Sequence, residues 1–483
     1  MPIHSVLRAA ALRDGRIPFR ETGRRGRWRN APAAAVIAVL SLLFVSPARA
    51  QMDLDTRATV AYVTLAGDTL YDVAQRYLAD THAWRVVARL NHVSAPRLLP
   101  PGTTLRLPLR LLRRDATPVS VIATSGLVTT RVHEPGAAGA PAVPLRLGRI
   151  LGENDMVSTG PDGFATLELA DGTYVSLTPN SSIVFSILRK MAMTGIQERV
   201  IELEKGEVTN EVTHAKQPGD RFEVRTPAIV AGVRGTHFRV NVMPSMTAVE
   251  VLDGKVAVGA SAHAMPAKAQ WDAKGSEFLG AGEGSATPSD GAVGAARPLL
   301  PAPTLRHPAK VQDASVVRFE IEPATGATAY RVQIARDADL LDLIREVRVQ
   351  APSATFSDLP DGTYFVRVSA IDAAGLEGLP RVYAFERRTN ELSASGAQRA
   401  GTHDYRFLWR ASRADANTRF RLILSQHEDM HDPIVDAVDL SGNSLVVSDL
   451  PAGDYYWRVV AQEYDHGRFY DTPGAVHTFT LAN

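Results

Sequence analysis

The 483-residue chain contains no cysteine. That excludes disulfides, a thiol nucleophile, cysteine-ligated zinc and lipid attachment at a cysteine. It also lacks the short motifs that carry common chemistries. There is no Gly-x-Ser-x-Gly elbow, phosphate-cradling glycine loop, dinucleotide fingerprint or His-Glu-x-x-His helix. The 13 histidines are scattered. His427 and His431 stand four apart in His-Glu-Asp-Met-His, but that order lacks the zinc-protease arrangement. No catalytic residue, metal ligand or cofactor is therefore assigned. Charge of one sign is not in excess either, with 53 Lys+Arg against 52 Asp+Glu.

Long apolar runs are absent except near the start. Arg8 to Arg29 is basic, Ala31 to Val45 is a run of apolar sequence broken only by Ser41, and Ala48-x-Ala50 precedes Gln51. This is the pattern of a secretory signal peptide over residues 1–50, cleaved after Ala50. The apolar run is shorter than the roughly 20 residues of a spanning helix, so no stable membrane span is expected after cleavage. Paired Arg24-Arg25 leaves Sec and twin-arginine export open. Residues 1–50 hold nine Arg against Asp14 and Glu21, a net of +7, so the remainder of a +1 chain sits near −6. A mildly acidic exported protein is a poor nucleic-acid binder, and none is expected as a partner.

What is present is glycine, proline and many Val/Ile/Thr runs: 36 Gly and 30 Pro. The length predicts several domains, and the punctuation predicts mainly β structure. Only residues 60–108 mix signals. Tyr62 to Leu65 reads as a strand. Thr69-Leu-Tyr-Asp72 is a helix-start box. Leu70, Val73, Ala74 and Tyr77 share one helical face, and Trp84, Val87 and Ala88 another. Pro100-Pro101-Gly102 turns the chain into a strand through Leu105 and Leu107.

This strand–helix–helix–strand order, with Gly67-Asp68-Thr69-Leu70 and Leu90-Asn91, resembles the LysM module, placed at 58–110. The resemblance implies binding of peptidoglycan or another N-acetylglucosamine-containing glycan in a groove between two loops. Its candidate residues are Gly67, Asp68, Thr69 and Leu70 on one loop, and Leu99, Pro100 and Gly102 on the other. Backbone amides and short polar groups would pair with acetamido sugars while apolar side chains meet the acetyl methyl. The residues themselves also admit another role: Asp68 and Thr69 as helix caps, Leu70 as core. Trp84 reads as core, and Asn91 as a backbone ligand at the helix end.

Residues 118–260 read as successive strands. Phe164 to Leu169 alternates up to Asp171-Gly172 and resumes at Tyr174, a hairpin expected to need positive φ at both central positions. A last pair is expected to turn at Asp253-Gly254. Asp171-Gly172-Thr173, Pro179-Asn180-Ser181, Gly206-Glu207-Val208, Thr226-Pro227 and Val233-Arg234-Gly235-Thr236-x-Phe238 resemble the FecR domain, a periplasmic all-β module. Arg234 reads as an anion ligand or half of an ion pair. Residues 261–312, rich in Ala, Gly and Pro, read as a linker.

The remainder contains a repeat. Leu359-Pro-Asp-Gly-Thr-Tyr364 parallels Leu450-Pro-Ala-Gly-Asp-Tyr455 at an offset of 91. The step resembles the tyrosine corner of fibronectin type III modules, giving sandwiches at 313–390 and 398–483. The expected fold is multidomain and mainly β: a βααβ LysM module, a FecR-like domain and two Ig/fibronectin III-like sandwiches. The expected role is that of a non-enzymatic periplasmic or cell-envelope protein, tethered to peptidoglycan and offering its β domains to another envelope protein. The alternatives are a FecR-type sensor of transmembrane signalling and a LysM-targeted cell-wall hydrolase.

Overall fold

A computed structural model describes residues 58–133, 141–261, 276–289, 292–308, 310–415, 417–465 and 467–482. The expected signal peptide and its cleavage site lie outside these residues. Among those described, no helix is long and apolar enough to cross a membrane.

The chain opens with strand Thr59–Val63, helix α1 (Leu70–Tyr77), helix α2 (Trp84–Leu90) and strand Thr104–Pro108. The two strands pair antiparallel, Tyr62 opposite Leu105. The first begins three residues earlier than the apolar pattern indicates, because its partner Thr104–Pro108 extends the ladder to Thr59. Thr69 caps α1: its Oγ1 accepts from Asp72 N, while the Asp72 carboxylate accepts from Thr69 N, satisfying two donors that helix geometry leaves free. Leu70, Val73 and Ala74 turn inward onto Val87, Leu105 and Leu107. Asn91 joins helix to sheet, donating to Val87 O at 2.8 Å and Arg106 O at 2.9 Å and accepting from Arg106 N at 2.7 Å.

This small unit is not on a flexible leash. Ala79 N donates to Leu111 O, Arg113 N to Tyr77 O, and Ala192 N to Arg113 O. Arg114–Ala116 then pairs with Arg189–Met191. Met191 and Ile196, from the next domain, complete the unit's apolar core.

Residues 114–298 build two sheets that share one long strand, Gln197–Glu211. Its first half lies between Ser182–Met191 and a parallel partner, Arg221–Arg225. Its second half lies between Tyr174–Leu177 and His237–Val242. Val, Leu, Ile and Phe from both sheets fill the space between them, as alternation requires.

Several expectations are corrected here. Gly172 has φ +85° but Asp171 does not adopt positive φ. The turn is longer than a two-residue hairpin, spanning the gap between Phe164–Leu169 and Tyr174–Leu177, and the Asp171 carboxylate is used inside the fold. It takes the Arg199 guanidinium and the hydroxyls of Thr173 and Thr213. Asp253-Gly254 is not a hairpin. Met246–Asp253 pairs with His237–Val242 and Glu283–Pro288, whereas Lys255–Ala260 pairs with Ile229–Val233 and Glu277–Gly280; the chain switches sheets at that corner. The expected linker therefore contains, among the described residues, four strands: Glu277–Gly280, Glu283–Pro288 and Arg297–Pro298, which extend the two sheets, and Val311–Gln312, which pairs with Arg381–Arg387. Among the described residues Arg234 forms no ion pair: it is exposed and donates to Pro218 O at 2.7 Å. Gly235 has φ +77°, and a Cβ there would lie 2.7 Å from His214 Cα, which explains a glycine at this place.

Two sandwiches follow. The first combines Val317–Glu320 and Ser353–Phe356 with the sheet of Ala327–Ala335, Leu343–Val349, Gly362–Asp372 and Arg381–Arg387. The second combines Leu392–Gln398, Tyr405–Ala411 and Ser444–Val447 with a sheet around Arg419–Ser425 and Gly453–Asp465. Leu392–Gln398 falls between the two expected boundaries and belongs to the second sandwich, since it pairs with Tyr405–Ala411. The tyrosine corner is present in both. Tyr364 Oη donates to Pro360 O at 3.0 Å and Tyr455 Oη to Pro451 O at 2.7 Å. Tyr455 and Trp457 fill the second core.

Candidate functional site

Two loops of the small N-terminal unit meet at one edge. Thr64, 1% exposed, fastens them. Its Oγ1 donates to Pro100 O at 2.6 Å and accepts from Thr103 N at 2.9 Å, while its carbonyl accepts from Gly102 N. Leu70 N donates to Pro96 O. The two loops, Gly67–Leu70 and Leu99–Gly102, are thus fastened at this edge, with Leu70 and Leu99 in one core, and their residues divide by role.

Asp68 is buried and fully engaged. Its Oδ2 accepts from Leu65 N at 2.7 Å and Tyr62 Oη at 2.6 Å, and its Oδ1 takes Arg76 at 2.6 Å. The Leu65 amide above all, with the Tyr62 hydroxyl and Arg76, holds the carboxyl down at about 2, so it is an anion with its acceptor sites taken. Thr69 caps α1, and Leu70 and Leu99 are core. Gly67, Pro100 and Gly102 are exposed. Gly67 and Gly102 hold φ of +88° and +80°, and nothing lies within 4 Å of where a Cβ would stand. The Cα side of each is open to an incoming molecule, while the Gly102 amide stays bonded to Thr64 O. Leu65 at 62% and Leu98 at 77% exposure flank them as apolar lips. Sequence reasoning did not single out Thr64 or Leu65. A threonine between strand apolar residues was the signal for the first.

Trp84 is partly buried against the core and partly paired with Tyr71, ring centroids 4.8 Å apart.

A second concentration of functional groups lies where the first sandwich meets the shared-strand sheet. Arg331, fully buried, donates to Glu207 at 2.5 Å, Glu377 at 2.6 Å and Glu346 at 2.8 Å. Arg239, 1% exposed, reaches Glu377 Oε1 at 2.7 Å and the carbonyls of Glu377 and Gly378. Ser369 Oγ donates to the same Glu377 oxygen, and Glu377 N to Glu250 Oε1 at 3.1 Å. Burial pushes the Glu250 carboxyl up to about 7 despite Arg239 beside it. The arginines hold Glu377 far below the carboxylate range against its own burial. Every charge here faces a partner inside the protein, so this cluster clamps two domains and offers no open coordination position. Glu207 belongs to the Gly206-Glu207-Val208 landmark. Its docking role needed Arg331 and Arg348, more than a hundred residues away. Among the described residues no group of His, Asp and Glu is arranged to hold a metal ion.

Comparison with protein families matches residues 62–108 to the LysM domain and residues 155–257 to FecR protein. The chain therefore carries both modules. LysM domains bind peptidoglycan and related N-acetylglucosamine glycans, and both families are binding or regulatory modules typical of envelope proteins. Among solved structures, similarity extends to a Parabacteroides distasonis protein described as a candidate anti-sigma factor. It is 22% identical with a TM-score of 0.23, over 30% of this chain and 59% of that one. The chain thus spans about three fifths of that relative's length. Fibronectin(III)-like modules of Clostridium thermocellum CbhA match at 14% identity and TM-score 0.20, over 36% of this chain and 90% of that one. Two fibronectin type III domains of chicken tenascin match at 12% and 0.18, over 38% and 99%. No curated protein matches the sequence.

Proposed function

We propose that this chain is an exported, non-enzymatic envelope protein that holds peptidoglycan in the groove between Gly67–Leu70 and Leu99–Gly102. In this reading the FecR domain and the sandwiches are presented to a second envelope protein. One observation carries it: two exposed glycine backbones, forced to positive φ with open space beyond them, sit between the apolar lips Leu65 and Leu98 on a frame locked by Thr64. Gly67, Pro100 and Gly102 would meet the sugar directly. Asp68, Thr69, Leu70 and Leu99 would hold the loops in place.

Co-sedimentation with purified peptidoglycan tests the reading. The chain from residue 51 onward is expected to pellet with the wall and to be released by chitooligosaccharides. Leu98→Asp, at an exposed position, is expected to pellet several-fold less while melting normally. Failure to pellet, or indifference to chitooligosaccharides, would overturn the groove assignment.

The FecR match at 155–257 favours one second reading, a periplasmic sensor that relays to a regulator across the membrane. That role needs residues 1–30 retained in the cytoplasm, whereas the first needs cleavage after Ala50. N-terminal sequencing of the mature protein separates them.

A further inference from the structure

Beside the interdomain clamp lies a chamber of about 180 Å³ that the clamp does not use. One wall is the outer face of the shared-strand sheet. Tyr174 lies opposite Glu211 in the ladder, and Glu211 opposite His237; Thr209 sits two residues further along the same strand. The opposite wall is Arg367, with Val382 beside it in register. Leu340, from the loop before strand Leu343–Val349, and Leu343, at that strand's start, also line it.

Arg367 is 6% exposed, and among the described residues no carboxylate is in ion-pair contact with it, although Glu377 and Glu207 act on it from further away. Its Nε donates to Gln333 Oε1 at 2.8 Å; among the described residues its terminal amino groups have no hydrogen-bond partner. The guanidinium contrasts with Arg331 and Arg239 in the neighbouring clamp, which are matched by acids. On the same chamber, the Thr209 hydroxyl belongs to a residue only 8% exposed and makes no hydrogen bond among the described residues. The Tyr174 hydroxyl has no protein partner either, among the described residues. His237 is kept uncharged at neutral pH, because burial first, then Arg367 and Arg239, pull its pKa down to about 4. The acids on the rim, Glu211 and Asp339, are exposed.

The terminal donors of Arg367 line the chamber and keep contact with water there, and an anion entering the chamber would replace that water with charge-assisted hydrogen bonds. The planar fork of arginine matches a carboxylate in two parallel hydrogen bonds. One guanidinium and a neutral imidazole suit a single negative charge rather than a dianion. The leucines and Val382 suit a short hydrocarbon end. We propose that this chamber binds a small organic carboxylate, its oxygens held by Arg367 and the Thr209 hydroxyl and its aliphatic end lying on Leu340, Leu343 and Val382. Tyr174 and His237 then stand at the entrance as further donors. This site is independent of the glycan groove and stands or falls without it.

Calorimetric titration and thermal melting of residues 51–483 with isovalerate test the proposal, with isovaleramide and inorganic phosphate as controls. Isovalerate is expected to bind with saturation and to raise the melting temperature, and isovaleramide is expected to do neither. Thr209→Val, which preserves shape, should weaken isovalerate about tenfold. Arg367→Gln should abolish binding, and Tyr174→Phe should weaken it less. A chamber holding water only after crystals are soaked in isovalerate would overturn the proposal. So would binding by phosphate in preference to isovalerate, or equal isovalerate affinity in wild type and Thr209→Val.

Discussion

The two sandwiches are copies of one plan that use the same face differently. Arg331 in the first and Arg421 in the second occupy the same place on equivalent strands: Arg331 lies opposite Ser369 and Arg421 opposite Val460, and Ser369 and Val460 are 91 apart, like the tyrosine corners. Arg331 is fully buried and bonded to three glutamates, one of them from the FecR domain. Arg421 makes a half-exposed bidentate pair with Asp436, both contacts 2.6 Å. The second sandwich touches the first end-on instead, through Arg388 to Glu463 and Asp465, and Arg413 to Asp361. A repeated fold thus fixes a residue's direction but not its energy. What lies opposite decides whether an arginine is a clamp or an ornament of the surface.

The sharpest way to break this contrast is to remove each arginine in turn. Arg331→Met leaves Glu207, Glu346 and Glu377 buried without their main cation and should cost about 3–5 kcal/mol in urea unfolding. Arg421→Met should cost less than about 1 kcal/mol. Equal losses would mean that the first face is not docked.

The docked face also carries titrations that depend on burial. Glu250, facing Arg239, Glu377 and Glu207, has a pKa near 7 when folded against an ordinary 4.5. The native state then holds the extra proton between these values, so Glu250 removes stability as pH rises through that window. His237, facing Arg367, Arg239 and Asp253, has a pKa near 4 against 6.5. There the unfolded chain takes the proton, so stability is gained as pH rises from 4 to 6.5. The slopes oppose each other from 4.5 to 6.5. Glu250→Gln should therefore expose a rising limb, and His237→Asn a falling one, each reaching about 3 kcal/mol across its window. Denaturation curves between pH 4 and 8 read both, and variants that track wild type at every pH would show these groups to be solvated.

The smallest effects should be the ones the repeats share. Tyr364→Phe and Tyr455→Phe each delete one hydroxyl donated to a carbonyl four residues upstream, and each should cost about 1 kcal/mol. A marked difference between the two, read by thermal melting, would show that docking reaches even this local corner.

Legibility in the sequence follows the same line between local and distant. The Thr69 cap, the α1 stripe, the Asn91 bond to Val87 and both tyrosine corners close within a few residues, and each was readable; the second half of the Asn91 latch, to Arg106, lies fifteen residues on and was not. The sheet switch at Asp253-Gly254 was not, because a hairpin and a corner share the same turn chemistry and differ only in which strands wait on either side. Glu277–Gly280 and Glu283–Pro288 hid in a small-residue stretch whose strand character comes from its neighbours. At the groove, the residues of both loops were readable, but the division of labour was not: Asp68 is engaged by Tyr62 and Arg76, and Thr64 ties loops almost forty residues apart. Arg367 carried no signal at all, since an arginine on an alternating strand ordinarily points into water.

The junction at Leu109–Ala116 has a consequence for mechanics. Backbone bonds and the buried Met191 deny the first module any swivel against the next, and Arg331 and Arg239 deny the next any swivel against the first sandwich. In the proposed reading, a sugar strand gripped at one end would therefore set the compass bearing of the first sandwich as well.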